Sequence, residues 1–161
     1  MTRSTDTIPI EPGSAAASDV ELGGRLRLAI TRTARRLRQE AGTDLSPSQL
    51  AALATIERHG PLAPSELAER ERIMRPTATR VLSRLVEAGL VERIPDPADG
   101  RSAIVSVSSE GRALLRRLGR RKTAYLATRI RDLPPQDLSA LARAIEVLEA
   151  ILARDADGEA A

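Results

Sequence analysis

Apolar residues recur at three- and four-residue steps along most of the chain, a spacing typical of amphipathic α-helices. The first such row predicts a helix from Asp19, as its N-cap, to about Glu40. Two prolines, a glycine and a run of small residues precede it, so we expect a mobile tail over residues 1–18. The apolar row of this first helix is Leu22, Leu26, Ile30 and Leu37.

Three shorter helices are predicted at 47–59, 64–71 and 76–88, each with a proline in its first turn. Ser46 precedes the first of them as an N-cap, and Gln49 completes a capping box. The apolar faces that we expect to be buried are Leu50, Leu53, Ala54 and Ile56 on the first helix and Ala78, Val81, Leu82 and Leu85 on the third.

The spacing of apolar residues changes to two at 90–94 and again at 103–107, on either side of a turn-rich segment, which predicts a β-hairpin. The helical spacing returns over 109–131, and a last helix ends before an acidic tail at 155–161. The apolar residues of the last helix follow steps of three and four, as in a seam that packs on another long helix: Leu138, Leu141, Ile145, Leu148 and Leu152.

Composition then limits the chemistry. The 161 residues are 42% apolar and 29% charged, as in a folded globular protein. Cysteine is absent, His59 is the single histidine and Tyr125 the single aromatic residue. We therefore expect no metal site, no cofactor and no thiol chemistry. No signal peptide or membrane span is visible, so the prediction is a cytoplasmic protein that does not bind membranes.

The basic residues are 24 arginines and one lysine. Residues 109–131 carry eight basic groups and one acid, a net charge of +7, whereas residues 132–161 carry seven acids and two arginines, a net charge of −5. Arginine forms bidentate hydrogen bonds with phosphate and with guanine, so this distribution favours a polyanionic partner. A GC-rich genome is the alternative explanation for the arginine bias itself.

The order of the middle elements, a short helix, a tight turn, a second helix and a hairpin, is that of a helix-turn-helix followed by a wing. In such a unit the second helix lies in the major groove of double-stranded DNA. Its face opposite the predicted core is polar and rich in arginine, and these residues are our candidate DNA contacts: Arg75, Thr77, Thr79, Arg80, Ser83 and Arg84.

The hairpin loop contains Asp99, Gly100 and Arg101. One interpretation is a polar turn, because Asp-Gly is common in turns for backbone reasons. The other is a wing whose Arg101 enters the minor groove, with Asp99 holding its guanidinium group.

Taken together, the motifs and their order resemble the multiple-antibiotic-resistance regulator (MarR) family of bacterial winged helix-turn-helix proteins, over roughly residues 19–154. The segments that carry the resemblance are LSPSQL at 45–50, PSELA at 64–68, TATRVLSRLVEAGLV at 77–91, Arg93, DGR at 99–101 and VSVSSEG at 105–111.

The resemblance implies a mainly α-helical homodimer, with dimerisation helices at 19–44 and 109–154 around a DNA-binding lobe at 45–108. It implies that Arg101 is the arginine of the wing and that Asp99 is its partner. It also implies an effector, often a small organic anion, bound between the dimerisation helices and the lobe. The candidates on this chain are Arg25, Arg32 and Tyr125.

The leading hypothesis is a sequence-specific transcriptional regulator, a repressor that a ligand releases from a pseudo-palindromic operator. The alternative is an architectural protein that binds DNA without sequence preference and without an effector. A third possibility, a ligand-binding or enzymatic module that has lost DNA binding, is disfavoured by Arg75, Arg80 and Arg101. The sequence contains no catalytic constellation, so we expect no enzymatic activity.

Overall fold

The computed structural model describes residues 12–96 and 103–158. In these ranges the chain forms mainly α-helices with one antiparallel β-hairpin, which confirms the predicted fold class. The elements are α1 (Pro12–Ala41), α2 (Pro47–His59), α3 (Pro64–Arg70), α4 (Arg75–Glu87), β1 (Val91–Pro95), β2 (Ala103–Val107), α5 (Ser109–Arg131) and α6 (Pro135–Gly158).

The chain divides into two compact units, Met1–Gly42 and Thr43–Ala161. The first unit contains α1, and the second contains the three short helices, the hairpin and the last two helices. Within the described ranges, no helix has the length and apolar character needed to cross a membrane.

Both terminal helices are longer than the sequence predicts. Helix α1 begins at Pro12, so the predicted N-cap at Asp19 and a tail as far as residue 18 are wrong. The run of three alanines at 15–17 has high helix propensity, and a proline is well tolerated in a first helical turn. Helix α6 continues past residue 154 because no helix-breaking residue precedes Gly158. The rest of both predicted tails lies outside the described residues.

The predicted capping box at the start of α2 is confirmed. The Ser46 hydroxyl accepts a hydrogen bond from the Gln49 N–H at 3.2 Å, and the Ser46 N–H donates to the Gln49 side-chain oxygen at 2.8 Å. One member of the predicted apolar face is wrong, because Ala54 is exposed and Ala52 is buried in its place. Residues two apart lie about 160° apart around a helix, so Ala54 cannot share the face of Ala52 and Ile56.

The core of the second unit lies between α2, α3, α4 and the hairpin. Strands β1 and β2 pair from Val91 opposite Val107 to Pro95 opposite Ala103. Leu62 adds a short bridge, because its N–H and carbonyl both bond to Val105, at 3.1 and 2.9 Å. The buried apolar cluster consists of Ala52, Leu53, Ile56, Leu62, Leu67, Val81, Leu82, Leu85, Val91, Val105 and Val107.

Ser108 forms hydrogen bonds that link α4, α5 and β1 at one edge of this core. Its side chain is buried, and its hydroxyl donates to the Gly89 carbonyl at 2.6 Å, just beyond the end of α4. The same hydroxyl accepts from the Gly111 N–H at 3.0 Å and so caps α5. The Ser108 N–H donates to the Leu90 carbonyl at 3.0 Å, at the approach to β1. These bonds hold the end of α4 against the start of α5.

Gly111, in the first turn of α5, is required by the same packing. A Cβ atom at this position would lie 2.2 Å from the Leu90 carbonyl oxygen and 2.7 Å from Cγ1 of Val107. The oxygen belongs to the backbone, so it cannot move aside as a flexible side chain would. Only glycine allows α5 to approach the hairpin this closely.

We therefore expect Gly111→Ala to lower the free energy of unfolding by about 1–3 kcal/mol, the usual cost of overpacking. The matched control is Gly119→Ala, on the same helix, where a Cβ atom would have nothing within 4 Å. That variant should gain stability, by about 0.5–1 kcal/mol, from the higher helix propensity of alanine. Urea unfolding at equal protein concentrations measures both changes, and a Gly111 variant as stable as the wild type would contradict the packing argument.

Candidate nucleic-acid interface

The turn between α3 and α4 sets the direction of the second helix. Arg72 has a positive φ of 52°, which is uncommon for a residue other than glycine. Its N–H donates to the Glu69 carbonyl at 3.1 Å, and the Ile73 N–H donates to the Ala68 carbonyl at 2.9 Å. This is a Schellman arrangement, which ends α3 sharply and lets α4 begin three residues after Arg72.

A side-chain hydrogen bond holds this turn against α2. The Thr55 hydroxyl, on α2, donates to the carboxylate of Glu71, the residue that follows α3. The pair is partly buried. The bond joins side chains that lie 16 positions apart in the sequence. It fixes the turn, and with it the start of α4, relative to the rest of the lobe.

Helix α4 has one fully buried face, as the sequence predicts. Ala78, Val81, Leu82 and Leu85 are its buried residues, and the helix packs on α2, α3 and β1. Burial of this face determines which side chains point outward.

All six predicted DNA contacts on α4 lie away from the core. Arg75, Thr79, Arg80 and Arg84 are exposed, while Thr77 and Ser83 are half-buried. The Thr79 hydroxyl donates to the Arg75 carbonyl at 3.0 Å, and Arg84 lies 3.5 Å from the carboxylate of Glu87 in an exposed pair. In the part of the chain that is described, Arg75 and Arg80 have no acidic partner within salt-bridge distance. Both guanidinium groups are therefore available to an anion.

The structure adds a second element that the sequence reasoning missed. The first turn of α2 lies beside α4, and the two enclose an open cleft of about 530 Å³. A helix N-terminus carries partial positive charge and attracts anions, here next to two arginines. The capping-box motif predicted where α2 begins. No local pattern in the sequence could show that this first turn faces α4. The cleft is lined by Ser46, Ser48, Gln49, Thr77, Arg80, Val81 and Arg84.

The remaining candidates belong to other parts of the chain. Asp99 and Arg101 lie outside the described residues, so their role in a wing stays a prediction. Arg25 and Arg32 are exposed on α1, in the first unit. Tyr125 is half-buried on α5, in the second unit, with the Arg129 guanidinium carbon 3.4 Å from its ring centroid. Their role in effector binding also stays a prediction.

Comparison with known proteins identifies the protein family of this chain. The model of the MarR family matches residues 45–103, which span α2 to the start of β2. An HTH-type transcriptional regulator of Mycobacterium bovis is 38% identical over 136 residues, which cover 84% of this chain and 95% of the relative. The chain belongs to the MarR family. It is therefore a DNA-binding transcriptional regulator and not an enzyme, which confirms those two predictions.

A solved structure and a second relative agree with this assignment. The crystal structure of a transcriptional regulator from Pseudomonas aeruginosa matches this MarR-family chain with a TM-score of 0.75 at 34% identity, covering 84% of this chain and 96% of the other. The HTH-type transcriptional repressor NicR of Pseudomonas putida is 32% identical over 96 residues, or 59% of this chain and 61% of NicR. The fold and the class of protein are thus shared well beyond the helix-turn-helix.

In this MarR-family lobe, Thr55→Val should lower the free energy of unfolding by about 1–2 kcal/mol, because valine keeps the shape but cannot donate to Glu71. Thr128→Val is the control, since among the described residues its hydroxyl bonds only to the Ala124 carbonyl, one turn earlier on α5, at 3.0 Å and at an exposed position. We expect that change to stay within about 0.5 kcal/mol, as is usual for surface substitutions. Equal effects in urea unfolding would show that the Thr55 bond does not stabilise the turn.

Proposed function

We propose that this MarR-family protein is a homodimeric repressor that places α4 in the major groove of a pseudo-palindromic operator and is released by a small ligand. The observation that carries the proposal is the surface of α4, where one face is buried and the other presents two arginines that have no acidic partner among the described residues. Arginine recognises guanine through O6 and N7, and residues near the start of such a helix reach the base edges. Arg75 and Arg80 are accordingly assigned to base contacts.

We assign the cleft between α2 and α4 to the DNA backbone. A phosphate there would meet the N-terminal turn of α2 and the hydroxyls of Ser46 and Ser48 on one side, and Arg84 on the other. Contacts of this kind position the protein on the duplex without reading its sequence. They would fix the register in which Arg80 approaches the bases.

The homodimer is supported by the apolar residues that the chain leaves exposed outside the lobe. On α6 these include Leu141 at 36%, Ile145 at 46% and Leu152 at 67% exposure, all members of the predicted seam. On α1 they include Val20 at 78% and Leu22 at 62%. Apolar rows of this length are typical of subunit interfaces. The acidic α6 and the basic α5 can also attract each other between subunits.

Repression is supported by the names of relatives, since NicR of Pseudomonas putida is named a repressor. A repressor needs a signal that removes it, and a ligand shifts an equilibrium only by its difference in affinity for the two states. We propose an organic anion, because Arg25 and Arg32 are exposed arginines within two turns of each other on α1. A carboxylate that raises the melting temperature and weakens DNA binding would support this, whereas a cation with both effects would contradict it.

The dimer is tested by Leu141→Glu, which places a charge within the proposed seam. We expect the wild type to sediment at about twice 17.3 kDa and the variant to shift toward the monomer mass. The control is Ala150→Glu, which adds the same charge on the opposite side of α6, nine residues along the helix. Dissociation by both variants, or by neither, would contradict a dimer built on this face.

Base reading is tested by Arg80→Ala on duplexes selected from a random-sequence pool by the wild-type protein. We expect a loss of about 1–3 kcal/mol on the selected duplex, the usual value of a bidentate base contact. The loss on a scrambled duplex should be clearly smaller. Arg143→Ala, an exposed arginine on α6, controls for the loss of one positive charge. An equal loss on both duplexes would make Arg80 a backbone contact and favour the architectural alternative.

A further inference from the structure

Met74 is the one exposed large apolar side chain of the DNA-binding lobe as described. Its exposed fraction is 76%, and among the large apolar residues that the structure describes only Val20, at 78%, is more exposed. Every other exposed large apolar residue in the described ranges lies on α1 or between Leu133 and Leu152, the regions assigned above to the dimer. Between Thr43 and Asp132, where the structure describes the chain, Met74 stands alone in this respect. The proposed dimer surface therefore does not explain why Met74 is exposed.

Helix capping does not explain Met74 either. It occupies the N-cap position of α4, and its side chain makes no capping hydrogen bond. The corresponding residues of α2 and α5 are Ser46 and Ser108, whose hydroxyls do cap their helices. Methionine cannot act in this way, and serine, threonine, aspartate and asparagine are the residues normally favoured there.

The backbone removes most of the need for a polar cap at this position. Pro76 has no N–H, and the N–H groups of Thr77 and Ala78 donate to the Met74 carbonyl at 2.9 and 3.1 Å. These backbone contacts therefore do not require the Met74 side chain. It stands immediately before Arg75, at the start of α4, which enters the major groove in the proposed function.

The chemistry of the major groove offers one apolar partner for such a side chain. Each base pair presents hydrogen-bonding groups there, and thymine alone among the four bases adds an exposed methyl group at C5. Methionine is flexible and polarisable, so it can follow a small apolar surface without a fixed geometry. We propose that Met74 is a specificity-determining residue that contacts the C5 methyl of a thymine in each half of the operator. This rests on the proposed function, in which the start of α4 enters the major groove.

The first test compares sequence preferences. Wild type, Met74→Leu, Met74→Ala and Met74→Gln are each used to select duplexes from the same random-sequence pool. Wild type and the leucine variant should select thymine at one position in each half-site, because both side chains are apolar and long. The alanine and glutamine variants should lose that preference and keep the others. All four should have similar melting temperatures, since the side chain is exposed.

The second test removes only the methyl group. Deoxyuridine replaces the selected thymine in the duplex, which leaves base pairing and the hydrogen-bonding edge unchanged. Wild-type affinity should fall about three- to tenfold, as expected for loss of one buried methyl contact, and the Met74→Ala affinity should not change. A second pair of duplexes carries cytosine or 5-methylcytosine at the same position. These two duplexes also differ only in the C5 methyl group, so they test the methyl contact on a different base. The cytosine duplex should bind more weakly than its methylated form.

The outcomes separate this inference from the proposed function. If the wild type selects a motif and Met74→Ala selects the same motif with the same penalty for deoxyuridine, the inference is wrong and the proposed function stands. A uniform loss of affinity on all duplexes would make Met74 a backbone contact, which also overturns the inference. If the wild type selects no motif at all, the proposed function itself fails.

Discussion

Burial of one face of α4 is the constraint on which the rest of the lobe depends. Four apolar side chains from Ala78 to Leu85 are removed from water against α2, α3 and the hairpin. Complete burial of a valine or leucine side chain contributes about 1.5–3 kcal/mol, so this face cannot turn outward without a large loss of stability. The same burial fixes the outward direction of Arg75 and Arg80. A single orientation of α4 about its own axis therefore both buries the apolar face and turns the two arginines toward the solvent.

The two ends of α4 are held by different interactions. At its start, the hydrogen bond between Thr55 and Glu71 and the left-handed backbone of Arg72 set the direction in which the helix leaves the turn. At its end, the Ser108 hydroxyl holds the Gly89 carbonyl and connects α4 to α5. A helix anchored at both ends holds its backbone, and so the attachment points of Arg75 and Arg80, in place. Such pre-organisation lowers the entropy that ordering the interface would cost on binding.

The sequence predicts those features that depend on near neighbours. The capping box of Ser46, the hairpin strands, the bounds of α5 and the buried face of α4 follow from residues a few positions apart, and the structure confirms them. The predicted start of α1 was wrong. The alanines at 15–17 favour a helix, and this propensity outweighed the prolines, glycine and small residues that suggested a tail. The position of the first turn of α2 across a cleft from Arg80, more than thirty residues away in the sequence, could not be predicted, because it depends on tertiary packing.

In the proposed function, the outward face of α4 reads the base sequence and does not merely attach to phosphate. The most direct test is the ratio of two dissociation constants measured at one salt concentration, near 150 mM. One is for a fragment of the source genome selected by the protein, and the other is for a scrambled duplex of equal length and composition. A sequence-reading MarR-family regulator should bind the selected fragment at least about 10³-fold more tightly. A ratio near one would contradict the claim and leave only binding to the DNA backbone.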